Sequence, residues 1–402
     1  MTGIDLTDLD LFAAGEVDAA WKRLRQAAPV HWNPEHDGPG FWAVTRHADV
    51  VSVARDTASF TSEKGMMLGV NRGAGDPAAG KMLVVTDPPR HGPLRAAVRR
   101  ALTATPIGLL RKRVRDEVAR LLEPARETSG CEFVSAVAAR LPAAVTCDLM
   151  GVPAADRGHL LRLTSAAFGA TDPDYQDRPT SDETAALAHA EILTYYADLI
   201  AERRRTPGSD VVSVLATTEV KGRGRLTDDE VLCNCLNLII GGHETTRHAA
   251  SGGLLALIEH PEQWALLRRA RHATRLAVEE VLRWTSPGMY VLRTAIRDGT
   301  VADQPISRGD AVTLWNASAN RDEAVFEAAD SFDVLRQPNP HVAFGAGPHS
   351  CVGASIARLE LQELFRQLLE RASAVELAGA PERLRSNLVR GIKRLPVTFA
   401  WN

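Results

Sequence analysis

Ten consecutive residues, Phe344-Gly345-Ala346-Gly347-Pro348-His349-Ser350-Cys351-Val352-Gly353, set one cysteine inside a glycine-rich loop. Beyond it Ile356, Leu359, Leu361, Leu364, Phe365 and Leu368 recur at helical spacing, which predicts a helix beginning just after Cys351. A sulfur at a helix N-terminus meets unpaired N–H groups and the positive end of the dipole, both of which favour thiolate. Gly345, Gly347 and Gly353 carry no side chain, so a flat, bulky group can lie against the backbone. A thiolate with cleared space around it is what axial ligation of haem iron requires. The plain alternative is a cysteine serving as a small buried hydrophobe. Two other loop chemistries fail on the residues themselves. No lysine follows the glycines as a phosphate-cradling loop demands, and Ser350 lacks the flanking glycines of a nucleophile elbow.

A second group of reactive residues lies upstream, in Gly241-Gly242-His243-Glu244-Thr245-Thr246. It falls within Val231 to Leu257, a mostly apolar stretch long enough for an extended helix. Thr227 is a natural N-cap there, and Glu230 three residues on completes a capping box. Two adjacent glycines inside a helix cost roughly 1 kcal/mol each relative to alanine. Such a cost fits either a close approach to the backbone or a local opening of the helix. Glu244 and Thr245 add an acid and a hydroxyl, the means of moving protons. The plain alternative is a distorted core helix with a buried acid. A zincin helix is excluded by spacing, because His243 and His248 are five residues apart rather than four.

These two segments resemble the cytochrome P450 family of haem-thiolate monooxygenases. The first fills every fixed position of the family's F-G-x-G-x-H-x-C-x-G loop, and the second is similar to the motif of the helix crossing the distal haem face. The resemblance implies that Cys351 is the iron ligand and that His349 contacts a haem propionate. Phe344, Gly345, Gly353 and Gly241 would adjoin the cofactor. Glu244 and Thr245 would deliver protons during oxygen activation, with Thr246 supporting the local hydrogen bonding. His91 and Arg95 match the family's H-x-x-x-R and stack one helical turn apart. Arg293 matches a third cationic residue, so four residues scattered over most of the chain would converge on two carboxylates. Glu280 and Arg283 are the E-x-x-R pair, able to meet on one helix face. Such spacing in general proteins is usually a surface ion pair; the family makes it a structural lock with a later arginine, here Arg336. The segment from Asn320 to Phe332 departs from the family's meander, since Glu323 and Glu327 stand where prolines are usual.

The elements that position these groups follow. The resemblance implies a mainly α protein with small β-sheets, one large domain over residues 1–402, with haem between the long distal helix and the cysteine-loop helix. The glycine-rich stretches Gly69 to Gly80 and Gly169 to Pro179 read as loops able to cover a pocket. By resemblance the substrate pocket draws on Ser62 to Val85, Phe168 to Pro179, Asn237, Gly241, Met289, Tyr290, Val291 and Val389. Asn237 either reaches that pocket or bonds within its own helix.

Bulk properties narrow the classes. Forty-seven basic residues against 50 acidic ones give a net charge of −3, which argues against nucleic-acid binding. Five scattered cysteines argue against a disulfide framework. The acidic N-terminus lacks a signal pattern, and no segment carries the ~20 apolar residues of a membrane span, so a cytoplasmic monomer is expected. The implied cofactors are haem b and O2, with electrons from NAD(P)H through a ferredoxin reductase and a ferredoxin. Arg99, Arg100, Arg111, Lys112, Arg113, Arg115 and Arg358 form either a docking patch for that ferredoxin or solvated helix charge. The expected reaction is hydroxylation of an organic substrate in secondary metabolism, such as an amino acid or acyl group tethered to a carrier protein. The alternatives are another oxidation by the same oxidant (phenol coupling, nitration, epoxidation) or a haem sensor without turnover.

Overall fold

The computed structural model describes residues 3–36, 38–69, 75–220 and 224–402. Residues 70–74 of the expected pocket loop therefore lie outside the described residues. Strands β1 (Val30–Glu35), β2 (Gly38–Val44), β3 (Phe60–Thr61), β4 (Val291–Ala295) and β5 (Ala311–Leu314) form one sheet in the order β1-β2-β5-β4-β3. Strand β5 runs parallel to β2, and the remaining pairs are antiparallel. Period-two alternation along β4 sends Val291 and Arg293 toward a central cavity and Leu292 into the core behind.

Helices make up most of the molecule. Those that shape the site are α1 (His91–Leu102), α2 (Arg140–Met150), α3 (Arg157–Gly169), α4 (Ser181–Arg205), α5 (Asp228–Glu259), α6 (Thr274–Thr285) and α7 (Ala354–Arg371). Helix α5 is the axis of the fold and packs on α2, α3, α4, α6 and α7. Its 32 residues extend about 48 Å. Its N-terminus carries the expected capping box: Thr227 Oγ1 accepts from the Glu230 N–H at 3.2 Å, and Glu230 accepts from the Thr227 N–H at 3.0 Å.

The two mid-helix glycines serve different ends. A Cβ on Gly242 would come within 2.6 Å of Thr146 Oγ1 on α2, so this glycine permits close helix packing. A Cβ on Gly241 would meet nothing within 4 Å, because the residue opens onto the cavity. The helix is continuous through both, so close approach rather than local opening explains them.

Glu280 and Arg283 are not a surface pair. Both are fully buried, joined by two 2.7 Å hydrogen bonds, and Arg336 Nε adds a third cationic contact at 3.1 Å. Arg283 also donates to the carbonyls of Asn320, Ala329 and Ser331 at 2.9 Å each. This network ties α6 to the segment that precedes the cysteine loop. At the departure from the family meander, Glu323 accepts a hydrogen bond from Arg25 Nε at 3.1 Å.

Candidate active site

Helix α7 begins at Ala354, directly after the cysteine loop. Left-handed backbone at Gly345 (φ 69°) and Gly347 (φ 69°) turns the chain so that Cys351 lines a cavity of about 750 Å³. A Cβ on Gly347 would come within 2.6 Å of the Ala54 carbonyl, which fixes glycine at that position. Cys351 is exposed, but to this interior cavity rather than to bulk solvent. Enclosure raises its thiol pKa, against the backbone N–H groups of Gly353 and Ala354 and the charges of Arg95 and Arg358. The helix terminus and the two arginines favour thiolate, and enclosure opposes it.

Two histidines and two arginines from distant parts of the chain share the cavity with the sulfur. His91, Arg95, Arg293 and His349 all line the cavity. The His91 and His349 rings are 4.4 Å apart, and Arg95 donates to Ser350 Oγ at 3.2 Å. His91 Nε2 is buried without a hydrogen-bond partner, and burial, with His349 and Arg95 nearby, pulls its pKa down to about 4. Among the described residues the buried guanidinium of Arg293 donates one hydrogen bond, to the Leu292 carbonyl at 2.7 Å. Its pKa is drawn down to about 10 by burial, against the attraction of Asp87. Unspent donors facing a cavity with open space beside Gly241 and Gly345 fit a flat group with an anionic edge. Phe344 lies on the same wall under the guanidinium of Arg358, 4.6 Å from its ring centroid.

Asp87 is a participant that sequence reasoning passed over. Its Oδ1 accepts from His349 Nε2 at 3.0 Å, while Oδ2 accepts from the Ser62 N–H at 2.9 Å and from Thr61. Burial opposes ionisation there, but these bonds hold its pKa at about 2. Asp87 thus orients the histidine and leaves Nδ1 for a ligand. Its place just before Pro88-Pro89-Arg90-His91 was visible; the partner 262 residues away was not.

On α5, Thr245 and Thr246 line the cavity, and Thr245 Oγ1 donates to the Gly241 carbonyl at 2.9 Å. Of the pair expected to deliver protons, Thr245 borders the cavity and Glu244 does not. Its carboxylate turns to the far side, where Arg247 Nη1 lies at 3.2 Å, the Ser165 hydroxyl donates at 2.9 Å and His248 Nε2 stands at 3.5 Å. Burial works against its charge, yet Arg247 and His248 keep its pKa at about 2. Arg247 in turn bonds Tyr175 and Ser165. The cause is helical geometry: i and i+3 meet on one face, and that face is opposite Thr245. His243 bonds Thr164 on α3 (3.1 Å), and no cluster of three metal-ligating residues exists among the described residues.

Of the expected pocket residues, Asn237, Gly241, Tyr290, Val291 and Val389 line the cavity. Tyr290 also accepts the Leu68 N–H through its hydroxyl at 3.0 Å and packs on Trp315. Met289 is a correction. It precedes the alternation of β4, is tied by backbone bonds to Leu388 and Ala317, and is buried in the core with Trp21 and Trp315.

Glu360, on α7, also borders the cavity; it is buried, Oε2 has no partner, and burial raises its pKa well above the usual range. The folded protein therefore keeps a proton that the unfolded chain releases above its carboxylate pKa. Stability conferred by this group is present at low pH and falls as pH rises. A Glu360→Gln variant should gain stability relative to the parent as pH rises from 4.5 to 7, as urea denaturation at several pH values will show; a constant difference would mean the carboxyl is ionised in the fold.

A model of the cytochrome P450 family matches residues 171–395. Cytochrome P450 NovI of Streptomyces niveus is 39% identical over 395 residues, covering 98% of this chain and 96% of NovI. The crystal structure of P450 OxyD, involved in the biosynthesis of vancomycin-type antibiotics, superposes with a TM-score of 0.90 at 40% identity, covering all of both chains. P450BioI, solved in complex with an acyl carrier protein ligated to hexadec-9Z-enoic acid, superposes at 0.87 and 28% identity, over 97% of this chain and 100% of its own. The chain belongs to the cytochrome P450 family. It is a haem-dependent monooxygenase that uses O2 and electrons delivered by redox partners. No helix among the described residues is long and apolar enough to cross a membrane.

Proposed function

We propose that this cytochrome P450 hydroxylates an organic substrate of secondary metabolism, presented as an amino acid or acyl group on a carrier protein. The observation that carries the chemistry is Cys351 facing a cavity in which His91, Arg95, Arg293 and His349 present donors on the same side. NovI, OxyD and the carrier-bound P450BioI support the substrate setting. Cys351 would ligate the iron of haem b, His91, Arg95, Arg293 and His349 would hold its propionates, and Phe344, Gly345, Gly353 and Gly241 would border it. When bound, a thiolate-ligated haem supplies oxygen activation.

The chain's own residues do the rest. Thr245 offers a cavity-facing hydroxyl that relays protons, and Thr246 packs beside it. Glu244, held ionised by Arg247 away from the cavity, supports that relay by position rather than by giving up a proton of its own in this arrangement. Apolar walls exclude water from the reacting carbon. Electrons come from NAD(P)H through a ferredoxin reductase and a ferredoxin, and the protein works as a cytoplasmic monomer. Most of the basic patch is internally paired: Arg111 with Glu363, Lys112 with Asp116, Arg113 with Asp148, Arg358 with Glu279. Arg99 and Arg100 are exposed with no ion pair among the described residues, and they offer the docking charge.

The ferrous carbon monoxide difference spectrum tests the ligation: a strongly red-shifted Soret band is expected, and a histidine-type band would overturn it. Thr245→Ala should keep haem and substrate binding while product per NAD(P)H falls severalfold and peroxide rises. Unchanged coupling would place the proton route elsewhere. Turnover of a carrier-loaded substrate, set against the same substrate free in solution, decides the tethering.

A further inference from the structure

Along α5, Cys233, Asn237, Gly241 and Thr245 recur at every fourth position, and all four line the cavity. At 1.5 Å per residue, Asn237 stands about 12 Å along the axis from Thr245. Apolar side chains share the lining with them, among them Leu236, Ile240, Val85 and Leu388. From α4, His189 and, one turn on, Leu193 face the same space.

Asn237 and His189 are unlike the other polar residues nearby. Asn234, three positions earlier, is fully buried and spent: it donates to the carbonyls of Lys81 (2.8 Å) and Glu230 (2.6 Å) and accepts from the Leu83 N–H (3.0 Å). His243 is likewise bonded, to Thr164. Asn237 and His189 are half-buried, border the cavity, and among the described residues no hydrogen bond reaches either side chain. Packing therefore does not account for them. Burial favours neutral His189, so its ring presents one donor and one acceptor, as the carboxamide of Asn237 presents both. Among the described residues the arginines that border the cavity are Arg95 and Arg293, on the side of the cysteine, and no lysine borders it. Asp76 is the carboxylate on the loop that precedes α1. Among the described residues that line the cavity, a second anion at the Asn237 end would find no arginine or lysine, and nearby Lys81 is paired with Asp229 at 2.9 Å.

We propose that Asn237 and His189 are specificity-determining residues forming the polar end of the substrate pocket. The substrate is an elongated, largely apolar molecule with an uncharged hydroxyl or amide about 12 Å from the end that is oxidised. The inference rests on the monooxygenase reading above and names the class of substrate for that site.

Calorimetric titration of the haem-loaded protein with 4-hexylphenol, hexylbenzene and 4-hexylbenzoate tests it. The parent should bind the phenol about tenfold more tightly than either of the others, since the polar pair is satisfied by the hydroxyl alone. In Asn237→Leu and in His189→Leu that preference should shrink to about twofold, with hexylbenzene bound no more weakly than by the parent. Asn237→Ser replaces the carboxamide with a smaller hydroxyl that can still donate and accept, and should give an intermediate ratio, which serves if the leucine variant does not fold. Equal binding of phenol and hexylbenzene by the parent, or an unchanged ratio in the variants, overturns the assignment. Tightest binding of the benzoate overturns the uncharged group. A thiolate-type carbon monoxide spectrum without the phenol preference rejects this inference alone; the preference without that spectrum rejects the ligation alone.

Discussion

Replacing Cys351 by histidine is expected to leave a haem-binding protein that has lost monooxygenase activity on the order of a thousandfold or more. Haem uptake should survive because His91, Arg95, Arg293 and His349, which line the same cavity and are proposed to hold the propionates, are untouched. What disappears is the sulfur and its electron donation, so the carbon monoxide complex should move to the position of imidazole-ligated haem. Helix α7 starts three residues later and does not depend on the cysteine side chain. Retained activity with a retained red-shifted band would place the axial ligand elsewhere. The enclosed thiol, whose pKa is raised without a metal, adds a second expectation: haem loading releases a proton, measurable in weakly buffered solution.

The second large effect is on stability. Arg283→Leu removes one cation from a pair buried to 0% exposure, takes two hydrogen bonds from the carboxylate of Glu280 and leaves the carbonyls of Asn320 and Ala329 without their donor. Breaking a buried ion pair from one side costs about 3–5 kcal/mol, because the remaining charge cannot reach water. For a chain of 402 residues the thermal midpoint should fall by roughly 5 °C. Arg336 limits the damage, since its Nε remains 3.1 Å from the same carboxylate. The exposed pair Lys112–Asp116 provides the contrast: Lys112→Ala should leave the midpoint unchanged. A midpoint within 2 °C of the parent for Arg283→Leu, roughly the spread of surface variants, would mean the network is solvated in solution.

Much of the site was legible from residues close together in the chain. The cysteine loop, the capping box of Thr227 and Glu230, and the His91/Arg95 pair are local patterns whose geometry follows from helix pitch and left-handed glycines. The four dispersed cationic residues were assembled by family resemblance, and the fold brings them to one cavity. Other outcomes needed the tertiary structure. Glu244 turns from the cavity because a buried carboxylate takes the strongest available partner, and Arg247 and Ser165 are on that side. Met289 is in the core because backbone ties to Leu388 and Ala317 place it before the strand alternation begins. Asp87 binds His349 across 262 residues, a separation at which no periodicity carries information. Asn234 and Asn237 are the same residue type on one helix, yet one is spent on the backbone of a neighbouring segment and the other faces empty space. By itself the sequence determined which groups can ligate, move protons and cap helices, because those are properties of residue type and short spacing. Which of them reach the cavity was decided by packing, since burial assigns each polar group a partner that only the folded chain brings near.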